Sequence, residues 1–344
     1  MLTTFTVSVP RRKEHLYDIL MEADPRGARE IDLVLPAWTP GSYLIRDFSR
    51  HVGDLAATDR RGRRLPIEKV EKARWRVSLG AISRGPVRVR YRVYAHDLTV
   101  RTSHLDDSHA YGNGASLFFY VEGRKDEPQR LRFVLPRGWK VSIALPRRGG
   151  RFLAADYDEL LDSPFECGTH RTLDFAVLGV PHTLALRGSG NENERRLVRD
   201  LGRVVREAAS LFGGLPYERY LFIAHLHPGA SGGLEHRASQ TVGIDPWKFG
   251  RPDDYRETLR VFAHELFHAW NVKRIRPQVL GPFDYTKEVY TRDLWAMEGI
   301  TCYYQELLLL RAGLQEPKHL FKELAKQLRA HEETPGSRVQ SAEM

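Results

Sequence analysis

Apolar and polar residues alternate along much of the first half of the chain. Val87, Val89, Tyr91, Val93 and Ala95 fall on one side of an extended segment, and Arg88, Arg90, Arg92 and Tyr94 on the other. Trp75, Val77 and Leu79 repeat that period, as do Trp139, Val141, Ile143 and Leu145. Turn signals such as Arg61-Gly62 and Arg84-Gly85-Pro86 separate the runs. A period of two repeated this often predicts strands with one buried face. Residues 1–183 therefore read as an N-terminal β-sandwich domain.

The period changes after the polar turn at 188–194. Leu197, Val198, Leu201, Val204, Val205 and Leu211 recur at helical spacing and predict a helix over about 194–212. Tyr220–Leu226 then reads as a strand. Leu259, Phe262, Leu266, Phe267 and Trp270 predict a second helix over 253–270, with Asp253 and Asp254 placed as its N-cap. A third, strongly apolar helix is expected over 292–312, stopped by Gly313. Strands followed by long helices make this an α+β chain.

The second helix carries His264-Glu265-Leu266-Phe267-His268, an HExxH motif. Histidines four apart lie on one helix face, one turn above the other, and can grip one tetrahedral zinc. Glu265 then stands beside the metal to handle protons. The alternative is a half-buried helix whose histidines are ordinary core residues. Zinc needs a third protein ligand, and Glu298, a lone carboxylate on the apolar face of a helix thirty residues beyond His268, is the best one, because burying an unpaired carboxylate costs several kcal/mol. Glu306 is the fallback and is expected to face solvent. Residues 184–344 thus read as a thermolysin-like zinc peptidase domain holding one Zn2+ per chain.

Ahead of this motif lies Gly229-Ala230-Ser231-Gly232-Gly233-Leu234-Glu235-His236. Gly232 and Gly233 permit close backbone approach to a ligand, and Leu234 to Val242 can run as an edge strand that a peptide extends by main-chain hydrogen bonds. Glu235 would meet a positively charged group. An ordinary glycine-rich turn is the plainer reading.

GGLEH, HELFHAWNVKRIRP and LWAMEGITCYY, in this order, resemble the glycyl aminopeptidase family of gluzincin metallopeptidases, whose members usually carry a C-terminal PDZ domain. The stretch LPAWTPGSYLIRDF at 35–48 is similar to that family's β-domain signature. The resemblance implies that His264, His268 and Glu298 bind zinc, that Glu265 is the general base, and that Glu235 holds the free α-amino group of a peptide. It also implies preference for a small first residue, glycine or alanine. Asn271, Lys273, Arg274 and Arg276 match signature positions that either orient ligands or pack the helix end.

Zinc would lower the pKa of a water from about 15.7 to about 7, and Glu265 would pass that water's proton to the leaving amine. Related gluzincins add a tyrosine from a Tyr-x-x-Lys-Gly-like segment to hold the oxyanion. No such segment lies between Glu298 and Met344, so the chain is expected to be a truncated catalytic domain without a PDZ domain. Tyr285, Tyr290, Tyr303 and Tyr304 are the in-chain substitutes. Two other functions stay open: a catalytically incomplete binding or scaffold protein, and a zinc endopeptidase.

Composition narrows the setting. Two cysteines, Cys167 and Cys302, argue against a disulfide framework. Neither a signal peptide nor an apolar run of about 18 residues is visible, which predicts a cytoplasmic protein with no membrane partner. The net charge of +9 comes from basic residues scattered over outward positions, with no nucleic-acid motif, so nucleic acid is not an expected partner.

Overall fold

The computed structural model describes residues 2–42, 44–80 and 85–341, so Tyr43, Arg84 and Met344 lie outside the described residues. The chain forms two compact units, Met1–His170 with Asp284–Glu288, and Arg171–Phe283 with Val289–Met344. The division falls ahead of the 183/184 boundary expected from the polar turn. Arg171–Val177 and Val180–Arg187 form a hairpin whose second strand runs parallel to Tyr220–Leu226, which commits both strands to the second unit.

Among the described residues the first unit contains an eight-stranded sheet and two four-stranded sheets. Thr3–Arg11, Leu16–Ala23 and Val87–Tyr94 are antiparallel neighbours in the large sheet, in a register that lines up Val7, Ile19 and Tyr91. All three are buried, as the alternation requires. Phe119 meets Tyr91 edge-on at 4.8 Å and Trp75, from a four-stranded sheet, at 5.1 Å, so aromatic side chains fill the space between layers. The alternation misleads at Lys140–Ile143. There Ser142 is the buried residue, bonded to His170 Nε2 at 2.8 Å, while Val141 and Ile143 are half-buried.

The second unit is built on a five-stranded sheet in the order Arg171–Val177, Val180–Arg187, Tyr220–Leu226, Ser239–Ile244, Gly233–Glu235. The single strand expected over 234–242 is instead a hairpin. Gly233–Glu235 forms the edge, antiparallel to Ser239–Ile244, with Glu235 opposite Gln240. Helix Glu194–Phe212 has the expected extent, capped by the Asn193 side chain and closed by Gly213 at φ 75°. The next helix, Pro252–Phe267, begins on Pro252, so Asp253 and Asp254 occupy its first turn and are not its cap. Pro suits that position because its missing N–H would have no helical partner. Leu201, Val205, Phe222, Val242, Phe262 and Leu266 form the core between these helices and the sheet. Among the described residues, no helix is long and apolar enough to cross a membrane.

Candidate active site

Helix Pro252–Phe267 ends earlier than its apolar pattern suggests. Ala269 and Trp270 donate to the carbonyls three residues back, Leu266 and Phe267, which tightens the chain into a turn. The turn returns the Asn271 carbonyl to His268, whose Nδ1 donates to it at 2.8 Å. His264 Nδ1 donates to Gln305 Oε1 at 2.7 Å. With both Nδ1 atoms committed, the two Nε2 atoms face each other 3.0 Å apart. Something positive must sit between them, a proton or a metal ion.

Glu298 completes the corner, its Oε2 lying 3.3 Å from His264 Nε2 and 3.7 Å from His268 Nε2. The apolar helix expected from 292 opens instead with a wide π-helical turn, Trp295–Gly299, before Ile300–Arg311 continues regularly. Such turns recur at functional sites because they re-aim one side chain. Asn271 holds this one: its Nδ2 donates to the carbonyls of Ala296 and Met297, each at 3.1 Å, and to Thr301 Oγ1 at 3.1 Å. Asn271 therefore serves one ligand through its carbonyl and positions the turn carrying another through its side chain.

Electrostatics agree with this geometry. Burial opposes charge on His264, but Cys302 and Glu298 outweigh it and push the imidazole up to about 11. Burial lowers His268 against the pull of Glu235. Burial would raise Glu298, and the two histidines hold it low. The pocket thus favours one positive charge among its three side chains, and the N, N, O donor set suits zinc.

Glu265 is 6% exposed, and its carboxylate shares a cluster with those of Glu235 and the His268 ring, all within 4.8 Å. Gly233 makes this closeness possible, since a Cβ there would lie 2.2 Å from Glu265 Oε1. Gly232 adopts φ +85°, a conformation that side chains other than glycine rarely take. Glu235 is 3% exposed, and its Oε1 has no hydrogen-bond partner.

The Peptidase M61 N-terminal domain model matches residues 4–169, and the M61 glycyl aminopeptidase model matches residues 257–344. The chain belongs to the M61 glycyl aminopeptidase family. An aminopeptidase N family protein from Idiomarina loihiensis is 34% identical, with a TM-score of 0.87, over 93% of this chain and 56% of that one. The present chain thus spans little more than half of that protein's length. An M1 zinc metallopeptidase from Deinococcus radiodurans shares the fold at 17% identity, TM-score 0.54, over 96% of this chain and 74% of that one. A mutant of that enzyme bound to a Tyr-Ser-Ala substrate matches at 17% identity with a TM-score of 0.54, over 96% of this chain and 74% of that one. No curated protein sequence matches significantly.

The four candidate tyrosines of the M61 chain sit in different settings. Tyr285 belongs to the other compact unit, where it is wholly buried and donates to Asp158 Oδ1 at 2.6 Å. Its hydroxyl is therefore engaged in that unit's core. Tyr290 is 83% exposed, Tyr303 is exposed, and the Tyr304 ring stacks on Phe267 at 5.0 Å. Glu306 departs from expectation as well. It is 0% exposed and ion-paired with Arg260, four residues before His264, so it is neither solvated nor a zinc ligand. Gln305 emerges as a residue that the sequence pattern did not single out, and Asn271 makes ligand-orienting contacts, one of the two roles left open for its signature position. Arg274, another signature position, ties the helix end down by donating to the carbonyls of Ala269, Arg237 and Pro216.

Proposed function

We propose that this protein is a zinc-dependent aminopeptidase that removes small N-terminal residues, glycine and alanine first, from peptides. The observation carrying this reading is the buried Glu235 carboxylate, whose Oε1 has no hydrogen-bond partner and which offers an oxygen within 4.8 Å of ligating atoms of Glu265 and His268. A buried carboxylate needs a counter-charge. The free α-ammonium of a peptide supplies one, and anchoring it there brings the first peptide bond to Glu265.

His264, His268 and Glu298 would hold one zinc ion, which when bound supplies Lewis acidity toward a carbonyl and acidifies water. Glu265 takes the proton of the attacking water and delivers it to the leaving amine. Edge strand Gly233–Glu235 offers main-chain groups to an extended substrate. The family description, glycyl aminopeptidase, supports a small first residue, and the tripeptide bound by the M1 relative supports peptides as the substrate class.

The test is hydrolysis of a glycine-initiated peptide and its N-acetylated copy by the zinc-loaded protein. Cleavage of the free peptide alone is expected. Cleavage of both would make the protein an endopeptidase, and cleavage of neither would leave a binding protein on a peptidase fold.

A further inference from the structure

The two histidines are supported differently. His268 leans on a main-chain carbonyl, that of Asn271, whereas His264 leans on a side chain, Gln305. What orients Gln305 is the buried Glu306. An ionised carboxylate only accepts hydrogen bonds, so Gln305 turns its Nε2 toward Glu306 Oε1, 3.4 Å away. Its Oε1 is then left for His264 Nδ1, and because that oxygen can only accept, Nδ1 must bear a hydrogen.

Glu306 is itself held by two further side chains. Arg260 pairs with it, and Gln315 Nε2 donates to its Oε2 at 3.2 Å and to its carbonyl at 2.7 Å. Arg260 also approaches Glu323 of helix Pro317–Glu333 at 3.7 Å. A buried charge with this many partners has a fixed orientation. The fixed charge sets the direction of the amide, and the amide sets the direction of the imidazole.

We propose that Glu306, acting through Gln305, keeps Nδ1 of His264 as the hydrogen-bearing nitrogen and so reserves Nε2 for the metal. Gln305 and Glu306 are positioning residues, and the inference rests on the zinc site proposed above. Outer partners of this kind change metal affinity by roughly 10- to 100-fold when removed.

The experiment measures zinc affinity by competition with a chromophoric chelator, together with urea unfolding of the zinc-free proteins. Gln305→Leu keeps the volume and removes the acceptor; it is expected to bind zinc about 10- to 100-fold more weakly with its unfolding midpoint near that of the parent. Glu306→Gln, which lets the neighbouring amide turn over, is expected to weaken zinc binding as well. Parental affinity in Gln305→Leu overturns the relay, and parental affinity in Glu306→Gln alone removes Glu306 from it. A parent chain that takes up no zinc overturns the zinc site and the relay together. Long-range 1H–15N spectra of the zinc-loaded parent give a readout independent of any variant's folding. They are expected to show His264 protonated at Nδ1 and metallated at Nε2; metallation at Nδ1 would contradict the proposal.

Discussion

Gly233 presents bare backbone to the Glu265 carboxylate, and a Cβ on Gly233 would come within 2.2 Å of its Oε1. The glycine of the edge strand and the acid of the HExxH helix are thus mutually fitted. Gly233→Ala forces the carboxylate aside. Displacement of a reacting group by about 1 Å can cost on the order of 100-fold in rate. We expect kcat to fall by that order while zinc content stays at the parental level, as steady-state kinetics with metal analysis would show.

Glu265 and Glu298 separate chemistry from metal holding. Glu265→Gln keeps the shape of the side chain and loses its proton affinity, so zinc should remain while turnover falls by roughly 100- to 10,000-fold. Glu298→Ala removes the carboxylate that is grouped with both histidines, and the dialysed variant should contain little zinc. Retained hydrolysis in the first or full occupancy in the second would reverse these assignments.

Asn271→Ala takes their shared donor from the half-buried carbonyl of Ala296 and the buried one of Met297, which keeps Thr301 Oγ1 as a donor. Each lost hydrogen bond costs about 0.5–1.5 kcal/mol, and the turn that aims Glu298 loses its anchor. Urea unfolding should show that loss, and zinc should bind more weakly. The support of His268 survives, because it comes from the main-chain carbonyl of residue 271.

His182 gives the second unit a pH-dependent stability. Burial lowers its imidazole from 6.5 to about 4, against a small opposing effect of the Val180 carbonyl. As pH falls, the unfolded chain takes up this proton first. The stabilisation is therefore complete above pH 6.5 and shrinks between 6.5 and 4, by up to about 3 kcal/mol. Urea midpoints at pH 7 and 4.5 should differ accordingly, and His182→Phe should flatten that difference.

The parts legible in the sequence are those governed by one local period. Leu197 through Leu211 gave a helix with the observed ends, and His264 with His268 announced a shared helix face. What escaped depends on partners far along the chain. The wide turn at Trp295–Gly299 exists where Asn271 donates to its carbonyls, and no pattern within 292–312 encodes that. Glu306 looked solvent-facing beside polar Gln305, yet Arg260 makes its burial affordable and Gln305 has work at His264. Ser142 took an inward position because His170 could bond its hydroxyl. Asp253 and Asp254 looked like caps, although Pro252 already opens the helix.

The most direct measurement is anomalous X-ray diffraction on either side of the zinc edge, from crystals of the protein grown with zinc. The account requires one strong peak bounded by His264 Nε2, His268 Nε2 and Glu298 Oε2, next to Glu265. A peak elsewhere, or none at these three atoms, would contradict it.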